Sequence, residues 1–130
     1  MNSPALPLPR LHVLLVEDDD LVQRCVTRFL RTSAELTVAR NAKEARELVR
    51  ERPFAVIISD LSLPDGDGLV VLGEAASLVP SAKLVLYSGF DPPPAAAAAL
   101  RAGRLSAFLR KPEGLAELVA LVRRWASETS

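Results

Sequence analysis

The sequence predicts an α/β fold in which a five-stranded parallel sheet carries helices on both faces. Short apolar runs alternate along the chain with segments of helical period. The runs are apolar at consecutive positions, as in "VLLV" at 13–16, which is typical of parallel strands covered on both sides. Polar or charged side chains mark the ends of four of the five predicted strands, and ligands of such folds bind at that edge of the sheet.

Length, charge and cysteine content limit what the chain can do. Its 130 residues, 49% of them apolar, suffice for one domain with one core. Sixteen basic and sixteen acidic residues cancel, so direct binding to nucleic acid or to an anionic membrane is not expected. The lone Cys25 excludes an internal disulfide, and no apolar run approaches the roughly 20 residues of a membrane span. Because the N-terminus also lacks the features of a signal peptide, a cytoplasmic protein is expected.

The first predicted strand and helix flank a run of four carboxylates. "LHVLLV" at 11–16 predicts a buried strand, and 21–31 predict an amphipathic helix. Asp19 and Asp20 are suited to be the N-cap and a first-turn acid of that helix. The apolar stripe of the helix comprises Leu21, Val22, Cys25, Val26, Phe29 and Leu30. Cys25 is therefore expected in the core.

Four further strand and helix pairs follow. The other strands are predicted at 35–39, 54–59, 82–88 and 106–110. The other helices are predicted over about 41–52, 69–78, 91–103 and 113–126. Asn41 with Glu44 is an N-cap signature, and Pro53 ends that helix. In the proline- and alanine-rich fourth helix Asp91 is expected to cap, and Leu100 is the one large apolar anchor. Either this helix packs shallowly or its alanines allow close contact with the sheet.

The last predicted helix has a wide apolar face. Leu115, Leu118, Val119 and Val122 lie on one face. Leu121 and Trp125 widen this stripe. They either cover the edge of the core or form a surface for a second copy or an output partner, together with the preceding helix and strand.

The polar residues at the strand ends form the candidate site. Glu17 and Asp18 follow the first strand, Asp60 follows the third, Ser88 ends the fourth, and Lys111 follows the fifth. Because the carboxyl ends of parallel strands share one edge, these side chains are expected to lie together. Three carboxylates in one cleft suit Mg²⁺, which prefers oxygen ligands and would offset their mutual repulsion.

Four motifs in this order resemble a bacterial response-regulator receiver domain. They are "LLVEDD" at 14–19, "VIISDLSLPDGDGL" at 56–69, "LVLYSGF" at 84–90 and "FLRKP" at 108–112. The resemblance covers 11–126, with 1–10 as an extended lead-in and 127–130 as a tail or the start of a linker. It implies a flavodoxin-like, doubly wound five-stranded parallel sheet with five helices. It also implies a signalling switch of a two-component system, phosphorylated by a sensor histidine kinase or a phosphotransfer protein.

The resemblance assigns the acceptor and the metal ligands. Asp60 would be the phosphoacceptor, a carboxylate nucleophile that forms an acyl phosphate. Asp18 and Asp60 would bind Mg²⁺, or Mn²⁺ in its place, Glu17 would act through a water, and the backbone carbonyl of Ser62 would complete the protein ligands.

The resemblance also assigns the residues around the acceptor. Lys111 would neutralise charge on the transferred group, and its bond to the following proline is expected to be cis. Ser88 would be the switch hydroxyl and Phe108 the switch aromatic, although a turn serine and a core phenylalanine are the alternatives. Ser62 and Phe90 would tune the rate of dephosphorylation.

Two other interpretations stay open at this point. A receiver-like module could bind partners without being phosphorylated. Asp18, Asp20 and Val22 also match the pattern of haloacid-dehalogenase-type phosphatases, in which Asp18 would be the nucleophile. That interpretation leaves Asp60 without a role and lacks the further acidic motif after the lysine.

Overall fold

The computed structural model describes residues 10–128 and has the predicted α/β architecture. Its strands are β1 (Leu11–Val16), β2 (Ala34–Ala39), β3 (Val56–Ser59), β4 (Ser62–Leu63), β5 (Gly66–Asp67), β6 (Lys83–Ser88) and β7 (Ala107–Arg110). Its helices are α1 (Asp20–Leu30), α2 (Ala42–Glu51), α3 (Gly68–Leu78), α4 (Pro94–Arg101) and α5 (Leu115–Glu128). Five strands form a parallel sheet in the order β2-β1-β3-β6-β7, and β4 pairs with β5 in a small antiparallel hairpin.

The sheet is covered on both faces, as predicted. Successive residues of β1 point to opposite sides, so Leu14 and Val16 join the apolar cluster under α2, α3 and α4. Val13 and Leu15 join the second cluster, under α1 and α5. All four side chains are at most 1% exposed. This two-sided burial explains why the strand reads as an uninterrupted apolar run.

The chain reverses its direction of winding between β1 and β3, and this places a crevice at their carboxyl ends. Backbone pairing continues past the strands into the crevice. The Glu17 amide donates to the Ala39 carbonyl at 2.9 Å, and the Asp60 amide donates to the Val16 carbonyl at 3.0 Å. The residues that follow β1 and β3 are therefore held in register with the sheet.

Helix α4 differs from the prediction. It begins at Pro94 after Pro93 rather than under a cap from Asp91, whose carboxylate instead forms an ion pair with Arg110. Leu100, the predicted anchor, is 42% exposed, whereas Ala96 and Ala99 are buried. Small side chains bring the helix backbone close to the sheet, so the large residue is left on the outer face.

The buried stripe of α1 is narrower than predicted. Val26 and Leu30 are buried, Cys25 is half-buried, and Leu21 and Phe29 are exposed. A helix that packs on a sheet covers only a limited arc of its own surface, so residues at the margins of the stripe remain in solvent.

Helix α5 ends two residues later than predicted and closes one edge of the core. Trp125 is 6% exposed and belongs to the second apolar cluster, while Leu121 packs against that cluster and is half-buried. Trp125 therefore covers the core edge and is not an exposed anchor for a partner. Among residues 10–128 no helix is both long and apolar enough to cross a membrane. The predicted lead-in, except Arg10, and the last two residues of the predicted tail lie outside the described residues.

Candidate functional site

Three carboxylates meet at the crevice, as the strand-end pattern predicted. Glu17 and Asp18 follow β1, Asp60 follows β3, and one oxygen atom from each lies within 4.8 Å of the other two. Glu17 is 1% exposed, Asp60 is half-buried, and Asp18 is exposed. The cluster is thus closed at Glu17 and open to solvent at Asp18. Oxygen donors at this spacing fit a hard divalent cation such as Mg²⁺.

The Lys111 ammonium lies inside this cluster. Its Nζ is 2.6 Å from Glu17 Oε1 and 3.4 Å from Asp60 Oδ2, and the side chain is only 17% exposed. The same Nζ lies 5.6 Å from the centre of the Tyr87 ring, on its face. The Lys111–Pro112 peptide bond is cis, as expected.

The pKa shifts show that the site favours positive charge. Burial raises the pKa of the Glu17 carboxyl above its ordinary value, and the hydrogen bond from Lys111 only partly opposes this. Burial lowers the pKa of the Lys111 ammonium, but the hydrogen bond to Glu17 and the charges of both carboxylates outweigh it, so the net pKa is raised. Negative charge at Glu17 is therefore costly unless a cation is near.

The other two carboxylates of the acidic run serve helix α1, as predicted. Asp19 Oδ1 accepts hydrogen bonds from the backbone amides of Leu21 at 2.8 Å and Val22 at 3.1 Å, and so caps the helix. Asp20 lies in the first turn and forms an ion pair with Arg40 at 2.8 Å. The hydrogen bond and charge of Arg40 hold the pKa of Asp20 below its ordinary value.

Two residues that the sequence reasoning missed hold the backbone of the acidic loop. Gln23 Nε2 donates to the Glu17 carbonyl at 2.6 Å, and Arg40 Nη2 donates to the Asp18 carbonyl at 3.1 Å. Arg40 directly follows β2, whose carboxyl end lies at the same edge as those of β1 and β3. The strand-end rule, if applied to the second strand as well, would have identified it.

A glycine lets the chain pass close to Asp60. The Gly68 amide donates to the Leu61 carbonyl at 2.7 Å, which closes the β4–β5 hairpin at the start of α3. A Cβ atom on Gly68 would overlap the Asp60 carbonyl oxygen and lie 2.8 Å from Ser59 Oγ. Only glycine fits this approach without moving the backbone of Asp60.

The same hairpin is tied to the neighbouring helix. Asp65 Oδ1 accepts from the Ala42 amide at 2.6 Å, and its Oδ2 accepts from the Lys43 amide at 3.0 Å. These hydrogen bonds lower the pKa of the Asp65 carboxyl, and the bond from the Ala42 amide has the largest effect. The predicted cap Asn41 accepts a hydrogen bond from the Glu44 amide at 2.8 Å. Asp65 and Asn41 together thus bind the three amides of the first turn of α2.

The residues predicted to switch or tune the site differ in their burial. Ser88 is fully buried, and its Oγ accepts a hydrogen bond from the Phe90 amide at 3.1 Å. The Phe90 side chain is 68% exposed. Phe108 is half-buried against the first apolar cluster, and Ser62 is exposed at the start of β4.

A family model and several known proteins are similar to this chain. The family model described as the response regulator receiver domain matches residues 13–123. The response regulator protein PilR of Pseudomonas aeruginosa is 33% identical over 116 residues, which are 88% of this chain and 26% of that protein. The response regulator receiver protein CpdR of Brucella abortus is 31% identical over 112 residues, 82% of this chain and 89% of that protein. The sensor protein TorS of Escherichia coli is 38% identical over 88 residues, 66% of this chain and 10% of that protein.

Solved structures of receiver domains superpose on this chain. A signal receiver domain from Pseudomonas fluorescens superposes with a TM-score of 0.79 at 27% identity, over 98% of this chain and 94% of that one. A CheY-like receiver domain protein from Methanospirillum hungatei superposes with a TM-score of 0.82 at 24% identity, over 92% and 96%, and supports the fold. The chain spans about a quarter of PilR and a tenth of TorS. Since the family model matches nearly the whole described chain and its motifs meet at one site, the protein belongs to the response regulator receiver domains.

Proposed function

We propose that Asp60 accepts a phosphoryl group from a phosphohistidine, carried by a sensor histidine kinase or a phosphotransfer protein, in a Mg²⁺-dependent reaction. The observation that carries the proposal is the meeting of the Glu17, Asp18 and Asp60 carboxylates with the Lys111 ammonium. Phosphoryl transfer needs positioning and neutralisation of negative charge more than it needs acid–base chemistry, and this cluster offers both.

The proposed step forms one bond and breaks one. A carboxylate oxygen of Asp60 attacks phosphorus, the bond from phosphorus to the donor nitrogen breaks, and its electron pair goes to the imidazole. Asp18, Asp60 and the Ser62 carbonyl would hold Mg²⁺, with Glu17 acting through a water, and the bound ion would supply positive charge to the phosphoryl oxygens. Lys111, already 3.4 Å from Asp60 Oδ2, binds another of these oxygens.

The modified aspartate would act on Ser88 and Phe108. Ser88 Oγ now accepts from the Phe90 amide, so a new hydrogen bond from this hydroxyl to the phosphoryl group would reorganise the loop that follows β6. Phe108 lies on the neighbouring strand β7, where a change in its burial would alter the adjoining surface. Because Phe108 has no hydroxyl that could form a hydrogen bond, the signal would consist of a change in the shape of that surface.

The phosphoryl donor would approach the open side of the site. Asp18 is exposed there, and two apolar side chains of the segments that follow β1 and β6 are exposed as well: Leu21 in the first turn of α1 and Phe90 in the loop after β6. Exposed apolar side chains near the reacting group are suited to contact with a partner. The proposed function is that of a signalling switch rather than a turnover enzyme. Its expected location is the cytoplasm.

The rival interpretations have less support. Asp20, the second aspartate of the phosphatase pattern, is paired with Arg40 on the outer side of the loop, and the family match is to receiver domains. A module that works without phosphorylation would not need carboxylates and lysine arranged at these distances.

The test is intact mass after incubation with Mg²⁺ and acetyl phosphate, for wild type, for Asp60→Asn and for wild type with EDTA. One acid-stable, base-labile phosphoryl group is expected on wild type incubated with Mg²⁺ and acetyl phosphate. Neither Asp60→Asn nor wild type with EDTA should gain it. Folded wild type that gains none would support the phosphorylation-independent module, and steady release of phosphate through Asp18 would support the phosphatase.

Phe90 is proposed to prolong the phosphorylated state by shielding the acyl phosphate from water, with Ser62 as the second tuning position. Phe90→Ala should therefore shorten the lifetime of the phosphoryl group several-fold in Mg²⁺. Phe29→Ala is the matched control, because Phe29 is a similarly exposed phenylalanine on α1. Equal lifetimes in Phe90→Ala and wild type would reject the shielding role.

A further inference from the structure

Arg40 bridges two points of the acidic loop from outside the carboxylate cluster. Its Nη1 binds Asp20 Oδ1 at 2.8 Å and its Nη2 binds the Asp18 carbonyl at 3.1 Å. Its own backbone amide donates to Glu44 Oε2 at 2.9 Å, which fixes the arginine at the junction of β2 and α2. The guanidinium therefore connects the second strand and helix to the loop that carries the metal-binding carboxylates.

We propose that Arg40 is a positioning residue for Mg²⁺ binding and phosphoryl transfer: it fixes the backbone at Asp18 and so directs the Asp18 carboxylate toward Asp60. The inference rests on the proposed function, because it assumes that Asp18 is a metal ligand. It adds to that function a residue outside the cluster.

The Asp18 carboxylate depends on its backbone for its orientation. Within residues 10–128 no hydrogen bond or ion pair engages that carboxylate, and the residue is exposed. Its carbonyl, by contrast, is held by Arg40, and the preceding carbonyl is held by Gln23 from α1 at 2.6 Å. Two donors on opposite sides thus fix consecutive peptide groups of the loop. Groups that orient a metal ligand commonly change metal affinity by about 10- to 100-fold when they are removed.

Positioning and simple charge predict opposite results. A guanidinium close to a divalent cation repels it, so removal of the charge alone would tighten Mg²⁺ binding. Removal of the bridge would free the Asp18 peptide and weaken binding. Arg40→Met removes charge and bridge together, and the sign of the change in dissociation constant tells which effect is larger.

The experiment measures the Mg²⁺ dissociation constant of the full chain by calorimetry and by the rise of Tm with Mg²⁺ concentration. Arg40→Met should bind about tenfold more weakly, the lower end of the range for such groups, since Arg40 is half-exposed. Phosphorylation by acetyl phosphate should slow at low Mg²⁺ and recover at saturating Mg²⁺. Arg40→Lys keeps the charge but lacks the fork that bridges two acceptors, so it should also bind Mg²⁺ more weakly than wild type.

The control is Arg46→Met. Arg46 forms a comparable ion pair with Glu74 at 2.6 Å between α2 and α3, away from the acidic loop, and its loss should leave the constant unchanged. An unchanged or tighter constant in Arg40→Met overturns the inference. If that variant does not fold, Arg40→Lys decides, and a constant equal to that of wild type overturns the inference. Failure of wild type itself to bind Mg²⁺ would instead overturn the proposed function.

Discussion

At the scale of single residues, Lys111 determines the stability of the site without metal. Its ammonium is the cation that faces the nearly buried Glu17, and it also approaches Asp60. Lys111→Met should lower the free energy of unfolding by about 2–4 kcal/mol in EDTA, because it leaves a buried carboxylate without its partner. Urea denaturation measures this loss, and saturating Mg²⁺ should restore part of it.

Lys83→Met is the matched control for that substitution. Lys83 is exposed at the start of β6, the opposite end of the sheet from the site, and its replacement should change the unfolding free energy by no more than about 0.5 kcal/mol. If the two variants lost the same stability, the contact between Lys111 and Glu17 would not be the cause.

The residues of the site could be predicted to different degrees. Glu17, Asp18 and Asp60 follow strands that are recognisable from their own composition, so their meeting at one edge could be predicted and is confirmed. Gln23 was missed because its acceptor is a backbone carbonyl, which leaves no side-chain pattern in the sequence, and Arg40 was missed because the strand-end rule was not applied to the second strand. The carbonyls that the two side chains bind are brought near by the tertiary fold and not by local spacing.

At the scale of elements, Gly68 sets the distance between helix α3 and Asp60, the proposed phosphoacceptor. Gly68→Ala should destabilise the protein by about 1–3 kcal/mol and slow phosphorylation, because the new methyl group must displace the Asp60 backbone. Gly73→Ala on the same helix has open space at its Cβ and should stabilise it by about 0.5–1 kcal/mol. Urea midpoints and acetyl phosphate kinetics check both, and similar behaviour of the two variants would argue against a steric role for Gly68.

The hairpin β4–β5 and helix α2 should separate at low pH. The folded pKa of Asp65 lies below its ordinary, unfolded value because its carboxylate accepts hydrogen bonds from the Ala42 and Lys43 amides. Its stabilising effect is complete above the unfolded pKa and is lost as pH falls through the folded pKa. Asp65→Asn should therefore lower stability at pH 7 and show a smaller further loss between pH 5 and pH 3.

Glu47→Gln is the control for Asp65→Asn. It removes an exposed carboxylate from helix α2, to which Asp65 is bound, but it leaves the amides of the first turn of that helix unchanged. Urea midpoints across the same pH range would be compared. A wild-type pH profile in Asp65→Asn would show that the hydrogen bonds to α2 do not contribute to acid stability.

Helix α4 shows where sequence patterns at this scale were insufficient. The size of Leu100 suggested that it anchors the helix, yet Ala96 is fully buried and Leu100 is exposed. The alternative, that the alanines allow close contact with the sheet, is confirmed. Apolar periodicity identifies a helix and its length, but an alanine-rich segment does not show which side faces the sheet, because alanine is tolerated on both.

At the scale of the whole molecule, the fold was predictable because its strands are buried on both faces and so stand out as apolar runs. The hairpin of β4 and β5 was not predicted as strand, since each strand has only two residues and lies in a turn-rich stretch. Its form depends on the anchor from Asp65 to α2, which joins segments more than 20 residues apart in the chain.

The stability of the whole domain should depend on Mg²⁺ through the three carboxylates. A ligand that binds only the native state stabilises it by about 2.7 kcal/mol at a hundred times its dissociation constant, or roughly 10 °C in Tm for a chain of this size. Asp60→Asn removes one of the three converging carboxylates, so it should show less than half of this gain. Its metal-free Tm should not fall, because lost repulsion from Glu17 offsets the lost attraction to Lys111. Thermal melts with Mg²⁺ and with EDTA test this, and a wild-type Tm that is independent of Mg²⁺ would reject the metal site.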